Sequence, residues 1–240
     1  KILFANGREG APQNQTQKIR FCRQLYLSLS NLYLHLMRIF AIGRNYAEHI
    51  KELNNERPEE PVIFTKPDTA IIRNNGAFYY PDFSKDIHHE VELVLRICKE
   101  GKNIAENFAS KYYDAIGVGI DFTARDLQSK LKEKGLPWDI AKGFNGSAPI
   151  SDKFIPVSQF SDIKNIDFKL EVDGQLKQQG NTSLLLFPFD FIIAYLSKFF
   201  TLKTGDLIFT GTPKGVGPVV IGNKLAAYIG DEKLLEFEVK

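Results

Sequence analysis

The ten residues HHEVELVLRI, from His88 to Ile97, combine a strand pattern with two carboxylates near its beginning. Side chains two positions apart on a strand point to the same face. Glu90 and Glu92 are therefore predicted to lie side by side, while the alternate apolar residues face the other way. Adjacent carboxylates repel unless one holds a proton or a cation lies between them. The stretch therefore indicates either a divalent-metal site, since hard cations prefer oxygen ligands, or a solvated strand edge.

The composition is that of a globular protein with one sizeable core. Of the 240 residues, 43% are apolar and 25% are charged. The net charge of +2 is too small to indicate nucleic-acid binding, and no apolar run approaches the ~20 residues of a membrane span. Cys22 and Cys98 form no Cys-x-x-Cys pattern, which argues against structural zinc. We therefore expect a cytoplasmic protein without nucleic-acid or membrane partners.

The first 36 residues differ in charge from the remainder. They carry five Lys or Arg residues and one Glu, a net charge of +4, which leaves −2 for the rest of the chain. The single methionine, Met37, directly precedes the first clear strand. We interpret residues 1–36 as an extension, non-native or upstream of the natural start, and residues 37–240 as a single catalytic domain. A signal or transit peptide, or a segment docked on the domain, is the competing interpretation.

Short periodic segments follow one another along residues 37–240. Strand patterns outnumber helical ones, and Asp173-Gly174 is the strongest hairpin signal. The predicted strands cover residues 37–42, 62–66, 70–73, 77–80, 87–98, 115–120, 167–172, 175–179, 206–209, 224–228 and 233–239, and the predicted helices cover residues 47–53, 105–113, 123–134 and 187–199. The pattern is typical of a domain with many short strands and few helices.

The first predicted helix pairs an imidazole with a carboxylate. His49 and Glu52 lie three positions apart and would share a helix face. A neighbouring carboxylate fixes the tautomer of an imidazole and raises its basicity, as a general base requires. The same spacing also occurs in solvated surface pairs, so the residues alone leave both interpretations open. The helix lies between a glycine and the polar loop 54–61, an arrangement that favours a mobile lid.

A third carboxylate follows a different strand. Asp121 comes directly after the glycine-containing strand 115–120, whose glycines indicate close approach of another group. Arg125 and Gln128 then share one face of the helix 123–134. An ordinary amphipathic helix explains this spacing equally well.

Two loops contain further candidate residues. Lys142 lies between small residues in the segment 138–149. The Gly- and Thr-rich segment 210–217 could present backbone N–H groups and hydroxyls to an anion, although its spacing is not that of a phosphate loop. A tight turn is the simpler explanation for the second segment when it is considered alone.

Together these motifs resemble the fumarylacetoacetate hydrolase family, and its short single-domain members, the acylpyruvate hydrolases and oxaloacetate decarboxylases, match best. The motifs are GRNYAEH (43–49), KP (66–67), HHEVE (88–92), DFTARD (121–126), GLPW (135–138), Lys142 and TGTPKGVG (210–217). The resemblance runs from Met37 to Val239. It implies an α+β fold, a mixed β-sheet roll or barrel-like assembly of many short strands with few short helices, and a homodimer.

The resemblance also implies a role for each candidate side chain. Metal ligands are expected at Glu90, Glu92 and Asp121, which would hold Mg²⁺ or Mn²⁺. The catalytic residues are expected to be His49, Glu52 and Lys142, with the first two forming a dyad on a lid. The residues expected to bind substrate oxygens are Arg125, Gln128, Thr212 and Lys66.

The leading functional prediction is a metal-dependent hydrolase that cleaves the C–C bond of acylpyruvates, small 2-oxo acids, to pyruvate and a carboxylic acid. The alternatives on the same metal site are an oxaloacetate decarboxylase or tautomerase, and an isomerase or hydratase of 2-hydroxy-dienoates. A non-catalytic metal-binding protein belongs to a different class. Because every expected site residue is present, an enzyme is the preferred class.

Overall fold

Short strands are the main regular elements of the part of the chain that the structure describes, which is residues 37–53 and 56–240 of a computed structural model. The strands are β1 (Ile39–Gly43), β2 (Val62–Lys66), β3 (Ile71–Ile72), β4 (Ile87–His89), β5 (Val91–Ile97), β6 (Tyr113–Ile120), β7 (Thr123–Ala124), β8 (Ala148–Pro149), β9 (Ile155–Pro156), β10 (Asp167–Val172), β11 (Gln175–Asn181), β12 (Leu207–Phe209), β13 (Gly217–Pro218), β14 (Lys224–Ile229) and β15 (Glu232–Glu238). The helices are α1 (Ala47–Glu52), α2 (Arg125–Glu133), α3 (Asp139–Lys142) and α4 (Phe189–Phe199). The predicted α+β class is confirmed.

Four open sheets organise these strands. The largest has the order β2-β1-β12-β5-β6-β9, and a four-stranded sheet has the order β11-β10-β14-β15. The two smaller sheets are β13-β4-β7 and β3-β8. The pairs β1–β12 and β3–β8 are parallel and the others are antiparallel, so the assembly is mixed. None of these sheets closes into a barrel within the described ranges.

Several predicted elements differ from the structure. The segment 138–149, which was expected to be a loop, contains helix α3 with Lys142 at its end. The helix expected over 105–113 is a 3₁₀ segment, Glu106–Lys111, and residues 77–80 contribute only an isolated bridge at Phe78. The interpretation of residues 1–36 lies outside the described residues. None of the helices in the described ranges is long and apolar enough to cross a membrane.

The stretch from His88 to Ile97 is not one strand. It breaks at Glu90, so that β4 and β5 belong to different sheets. The carbonyl oxygen of Glu90 accepts a hydrogen bond from the N–H of Asp121 at 2.8 Å. Because this residue leaves the strand ladder, its side chain lies at a corner where two sheets meet, a position that alternation alone could not predict.

Strand β5 is buried on both faces. Leu93 and Leu95 pack into the larger apolar cluster, whereas Val94 packs with Phe209 in the smaller one. Glu92, on the same face as Val94, is only 2% exposed. The alternative of a solvated strand edge is therefore wrong, since apolar side chains and loops cover both sides of this strand.

Strand β6 has no room for a side chain at Gly119. An added Cβ would lie 2.8 Å from the ring of Phe209 and 3.1 Å from Val94. Gly119 is also the partner of Glu92 in the β5–β6 ladder. The sequence predicted that another group approaches this strand closely, and that group is the buried ring of Phe209. The absence of a side chain at Gly119 lets Phe209 of β12 and Val94 of β5 pack against β6.

Replacing Gly119 with Ala is expected to destabilise the protein by about 1–3 kcal/mol, since a fully buried ring must move to accommodate the methyl group. Urea unfolding measures the change. Gly43→Ala is the matched control, because its added Cβ would meet Val62 at an ordinary 3.7 Å. Equal stability of the two variants would contradict the close packing at Gly119.

Candidate metal centre

Three carboxylates converge at the corner between β4, β5 and β6. Glu90 occupies the break between β4 and β5, Glu92 lies on β5, and Asp121 directly follows β6. One ligand oxygen from each lies within 4.8 Å of the others. All three residues are buried, with exposed fractions of 4%, 2% and 0%. The antiparallel pairing of β5 with β6 brings together residues that are about thirty positions apart in the sequence.

Cationic side chains surround two of these carboxylates. The ammonium nitrogen of Lys142 lies 2.7 Å from Glu90 Oε2 and 2.6 Å from Asp121 Oδ2. Arg125 forms an ion pair with Glu90 on its other side. Burial alone would lower the pKa of Lys142, but the charges of Asp121 and Glu90 outweigh it and raise that pKa. Lys142 therefore stays an ammonium ion that partly neutralises the cluster.

Glu92 is the carboxylate of the three that forms no ion pair with a lysine or arginine among the described residues. Its hydrogen-bond donor among the described residues is the N–H of Gly211, at 2.7 Å. Burial and the neighbouring charge of Asp121 raise the pKa of Glu92 well above its usual value. By contrast, burial would raise the pKa of Glu90, but the charges of Lys142 and Arg125 hold it below its usual range. Three hard oxygen donors with one unbalanced charge suit a divalent cation.

Lys66 lies behind the cluster, next to Asp121. Its ammonium group contacts Asp121 Oδ1 at 2.6 Å and donates to the carbonyl and hydroxyl oxygens of Ser147 at 3.1 and 3.0 Å. It also donates to the carbonyl oxygens of Phe122 and Lys142. This fully buried position differs from the predicted contact with substrate. Lys66 holds Asp121 and the C-terminal end of α3, where Lys142 lies, in place.

A cavity of about 150 Å³ adjoins the three carboxylates. Its wall includes all the predicted catalytic and substrate-binding residues except Lys66 and Glu52. It is lined by Ile42, Gly43, Arg44, His49, Leu53, Phe64, Glu90, Glu92, Asp121, Arg125, Gln128, Ser129, Lys132, Trp138, Lys142 and Thr212. Arg44 and Lys132 were not predicted. The spacing i, i+3, i+7 from Arg125 would have indicated Lys132, because these positions share a helix face.

The imidazole and carboxylate of α1 are held together as the spacing predicted. His49 Nδ1 lies 3.1 Å from Glu52 Oε2, and His49 is 6% exposed. The other oxygen of Glu52 accepts from the N–H of Gly215 at 2.9 Å. Gly215 has a φ of +95° and an added Cβ would lie 2.2 Å from the carbonyl oxygen of Lys177, so only glycine fits. The dyad is therefore docked on the segment 210–217, and His49 Nε2 is the nitrogen that Glu52 does not engage.

Gln178 holds Thr212, which lines the cavity, and the sequence did not predict this role. Its Oε1 accepts from the N–H of Val91 at 3.0 Å, which fixes the orientation of the amide. Its Nε2 then donates to Thr212 Oγ1 at 2.8 Å and to the carbonyl oxygen of Pro213 at 2.9 Å. The hydroxyl of Thr212 accepts this bond, and its own hydrogen is directed toward the carbonyl oxygen of Pro213 at a long 3.5 Å. A glutamine in the polar strand β11 carries no sequence signal of this role.

Comparison with known proteins decides the family. The model of the fumarylacetoacetate hydrolase C-terminal domain matches residues 38–240. The chain belongs to this family. The resemblance inferred from the motifs is confirmed, and the matched range includes all ten predicted site residues.

Two relatives within the family carry names that refer to oxaloacetate. The chain is 41% identical to the mitochondrial oxaloacetate tautomerase of Bos taurus, over 84% of this chain and 91% of the relative. It is 44% identical to the mitochondrial oxaloacetate decarboxylase of Dictyostelium discoideum, over 84% of this chain and 93% of the relative.

A solved structure in the family contains a metal. The crystal structure of fumarylpyruvate hydrolase from Pseudomonas aeruginosa, in complex with Mn²⁺ and pyruvate, has a TM-score of 0.79 and 37% identity, and the match covers 84% of this chain and 88% of that one. The buried acidic triad of this chain is consistent with a divalent-metal site of the same kind. The roles of the individual site residues, and the choice between Mg²⁺ and Mn²⁺, stay predictions.

Replacing Glu92 with Gln is expected to stabilise the metal-free protein and to abolish its stabilisation by Mn²⁺. The raised pKa penalises the charged form of Glu92 in the folded state, so the gain should be present at about pH 8 and disappear below about pH 4, where unfolded glutamates are also protonated. Thermal unfolding with and without Mn²⁺ measures both effects. At 100 times its Kd the metal should add about 2.7 kcal/mol to the wild type.

Glu48→Gln is the matched control for this variant. Glu48 is exposed on α1 and pairs with Lys51 at 2.8 Å, away from the acidic triad. Its replacement should leave the response to Mn²⁺ unchanged. If Glu92→Gln responded to Mn²⁺ as strongly as the wild type, Glu92 would be excluded as a metal ligand.

Proposed function

We propose that this protein is a metal-dependent oxaloacetate tautomerase, which interconverts the keto and enol forms of its substrate. The single observation that carries the proposal is the position of the Lys142 ammonium group, 2.7 and 2.6 Å from two carboxylates of the triad and in the wall of the same cavity as His49. A cation and a base that face one small cavity suit enolisation, in which a proton leaves carbon while charge develops on oxygen.

The chain's own residues divide this task. Arg125, Gln128 and Thr212 offer donors to the carboxylate and the 2-oxo group of the substrate. Lys142 places positive charge beside the oxygen that becomes negative. His49, oriented by Glu52, takes the proton from C3 through Nε2, and return of that proton to the 2-oxygen gives the enol. A divalent ion held by the triad would polarise the 2-oxo group.

The names of the relatives support this alternative over acylpyruvate hydrolysis, which the sequence had favoured. The tautomerase and decarboxylase relatives are 41% and 44% identical to this chain. Decarboxylation of oxaloacetate is the second candidate, because loss of CO₂ also leaves an enolate that the same cations would stabilise. Hydrolysis needs an additional attacking water. The homodimer and the cytoplasmic location stay predictions, and the relatives named here are mitochondrial.

A substrate panel tests the proposal. Enol absorbance follows tautomerisation of oxaloacetate, and pyruvate release follows decarboxylation and the hydrolysis of acetylpyruvate and fumarylpyruvate. A dienoic diacid tests isomerisation. We expect the highest kcat/KM for tautomerisation with Mg²⁺ or Mn²⁺, and its loss with chelator. Faster hydrolysis of an acylpyruvate would overturn the proposal in favour of the hydrolase, and inactivity on every compound would favour a metal-binding protein.

The dyad should separate proton transfer from decarboxylation. His49→Ala is expected to lower kcat for tautomerisation by about 10²–10⁴-fold, because the base that takes the C3 proton is lost. Decarboxylation removes no proton from carbon, so its rate should fall by less than about tenfold. Lys51→Ala, on the exposed side of the same helix, is the control and should change neither rate. An equal loss of both reactions in His49→Ala would contradict this division.

A further inference from the structure

The cavity continues outward from the acidic triad along one face of α2. Arg125, Ser129 and Lys132 all line it, as does Gln128. At a rise of about 1.5 Å per residue, Lys132 lies about 10 Å along the helix axis from Arg125. Arg125 is ion-paired with Glu90 at the inner end. The ammonium group of Lys132 therefore belongs to the outer part of the cavity, beyond the residues that serve the metal end.

Arg44 contributes a second cation to the same wall from a strained backbone. Its φ is +59°, in the left-handed region that non-glycine residues rarely adopt. The next residue, Asn45, holds this conformation, since its side chain exchanges hydrogen bonds with the backbone of Phe187 and donates to the carbonyl oxygen of Thr210 at 2.8 Å. Within the described residues, the guanidinium of Arg44 makes no hydrogen bond or ion pair.

The cations of the cavity wall exceed the anions. Among the described residues that line it, Arg44, Arg125, Lys132 and Lys142 face three carboxylates. Together with a divalent ion, these side chains leave an excess of three positive charges. Burial, followed by the charges of Arg44 and Arg125, lowers the pKa of Lys132, in keeping with several cations lining one small cavity. An anionic ligand would relieve that repulsion.

We propose that Arg44 and Lys132 bind a second carboxylate of the substrate, so that the site selects 2-oxo dicarboxylates over 2-oxo acids with an uncharged distal group. This inference rests on the proposed function and specifies the part of the site that would recognise the far end of oxaloacetate. The enolate of oxaloacetate carries three negative charges, which matches the excess. The enolate of an acylpyruvate with a neutral acyl group carries only two.

Binding measurements with two ligands test the proposal without turnover. Pyruvate, the ligand named with Mn²⁺ in the Pseudomonas aeruginosa structure, reports on the metal end alone. The non-enolisable dicarboxylate 3,3-difluorooxaloacetate reports on both ends. Calorimetry on the Mn²⁺-loaded protein gives the Kd of each. We expect Lys132→Met and Arg44→Asn each to weaken binding of the dicarboxylate by about tenfold or more, and to change pyruvate binding by less than about twofold.

The variants are chosen to keep the fold intact. Asn tolerates positive φ, so Arg44→Asn removes the charge while the backbone conformation is retained. Lys132 is exposed at the cavity mouth. Lys130→Met removes one positive charge from the opposite side of α2 and is the matched control, with both affinities expected to stay unchanged. If Lys132→Met and Arg44→Asn weakened both ligands equally, or neither, the assignment of a carboxylate subsite would be overturned.

This test separates the subsite from the reaction. If wild-type protein prefers the dicarboxylate and loses that preference in the two variants, the subsite stands even when oxaloacetate is not tautomerised, and only the proposed function fails. If oxaloacetate is tautomerised but the variants keep the preference for the dicarboxylate, the proposed function stands and the subsite is wrong.

Discussion

The mutual repulsion of three buried carboxylates is the constraint on which the rest of the structure depends. One carboxylate oxygen from each of Glu90, Glu92 and Asp121 lies within 4.8 Å of the others, and all three residues are almost fully removed from water. Such a cluster would protonate or unfold unless positive charge were brought to it. Lys142 and Lys66, together with the guanidinium of Arg125, supply part of that charge. Neither lysine nor the guanidinium pairs with Glu92, an arrangement that is consistent with a divalent-cation site.

The fold places these charges on elements that cannot move independently. Register between β5 and β6 sets Glu92 opposite Gly119, and the backbone bond from Asp121 to Glu90 connects the other two carboxylates. Lys66 joins Asp121, its ion-pair partner, to the C-terminal end of α3 through the carbonyl oxygen of Lys142. A site held in this way is preorganised, since its dipoles and charges are in position before any ligand arrives. Apolar clusters pack on both sides of β5.

The cavity joins this rigid inner end to an outer end that is held in a different way. Arg44 owes its direction to a left-handed backbone that the buried Asn45 secures, and Lys132 owes its position to the third turn of a helix face. The dyad of His49 and Glu52 is docked through Gly215 on a neighbouring segment. The residues proposed for the chemistry and those proposed for substrate selection therefore lie on separate elements.

The sequence by itself determined the kinds of groups and their local partners. Spacing two apart on a strand predicted that Glu90 and Glu92 would be close, spacing three apart on a helix paired His49 with Glu52, and the motifs together identified the family. The two pairings rest on side-chain spacing within one short segment, and the family rests on the order of the motifs along the chain. Only the tertiary structure decided that the strand breaks at Glu90, that Lys66 lies behind Asp121, and that Gln178 orients Thr212. Those contacts join residues from different elements, and their geometry depends on how sheets and loops pack, which local periodicity does not encode.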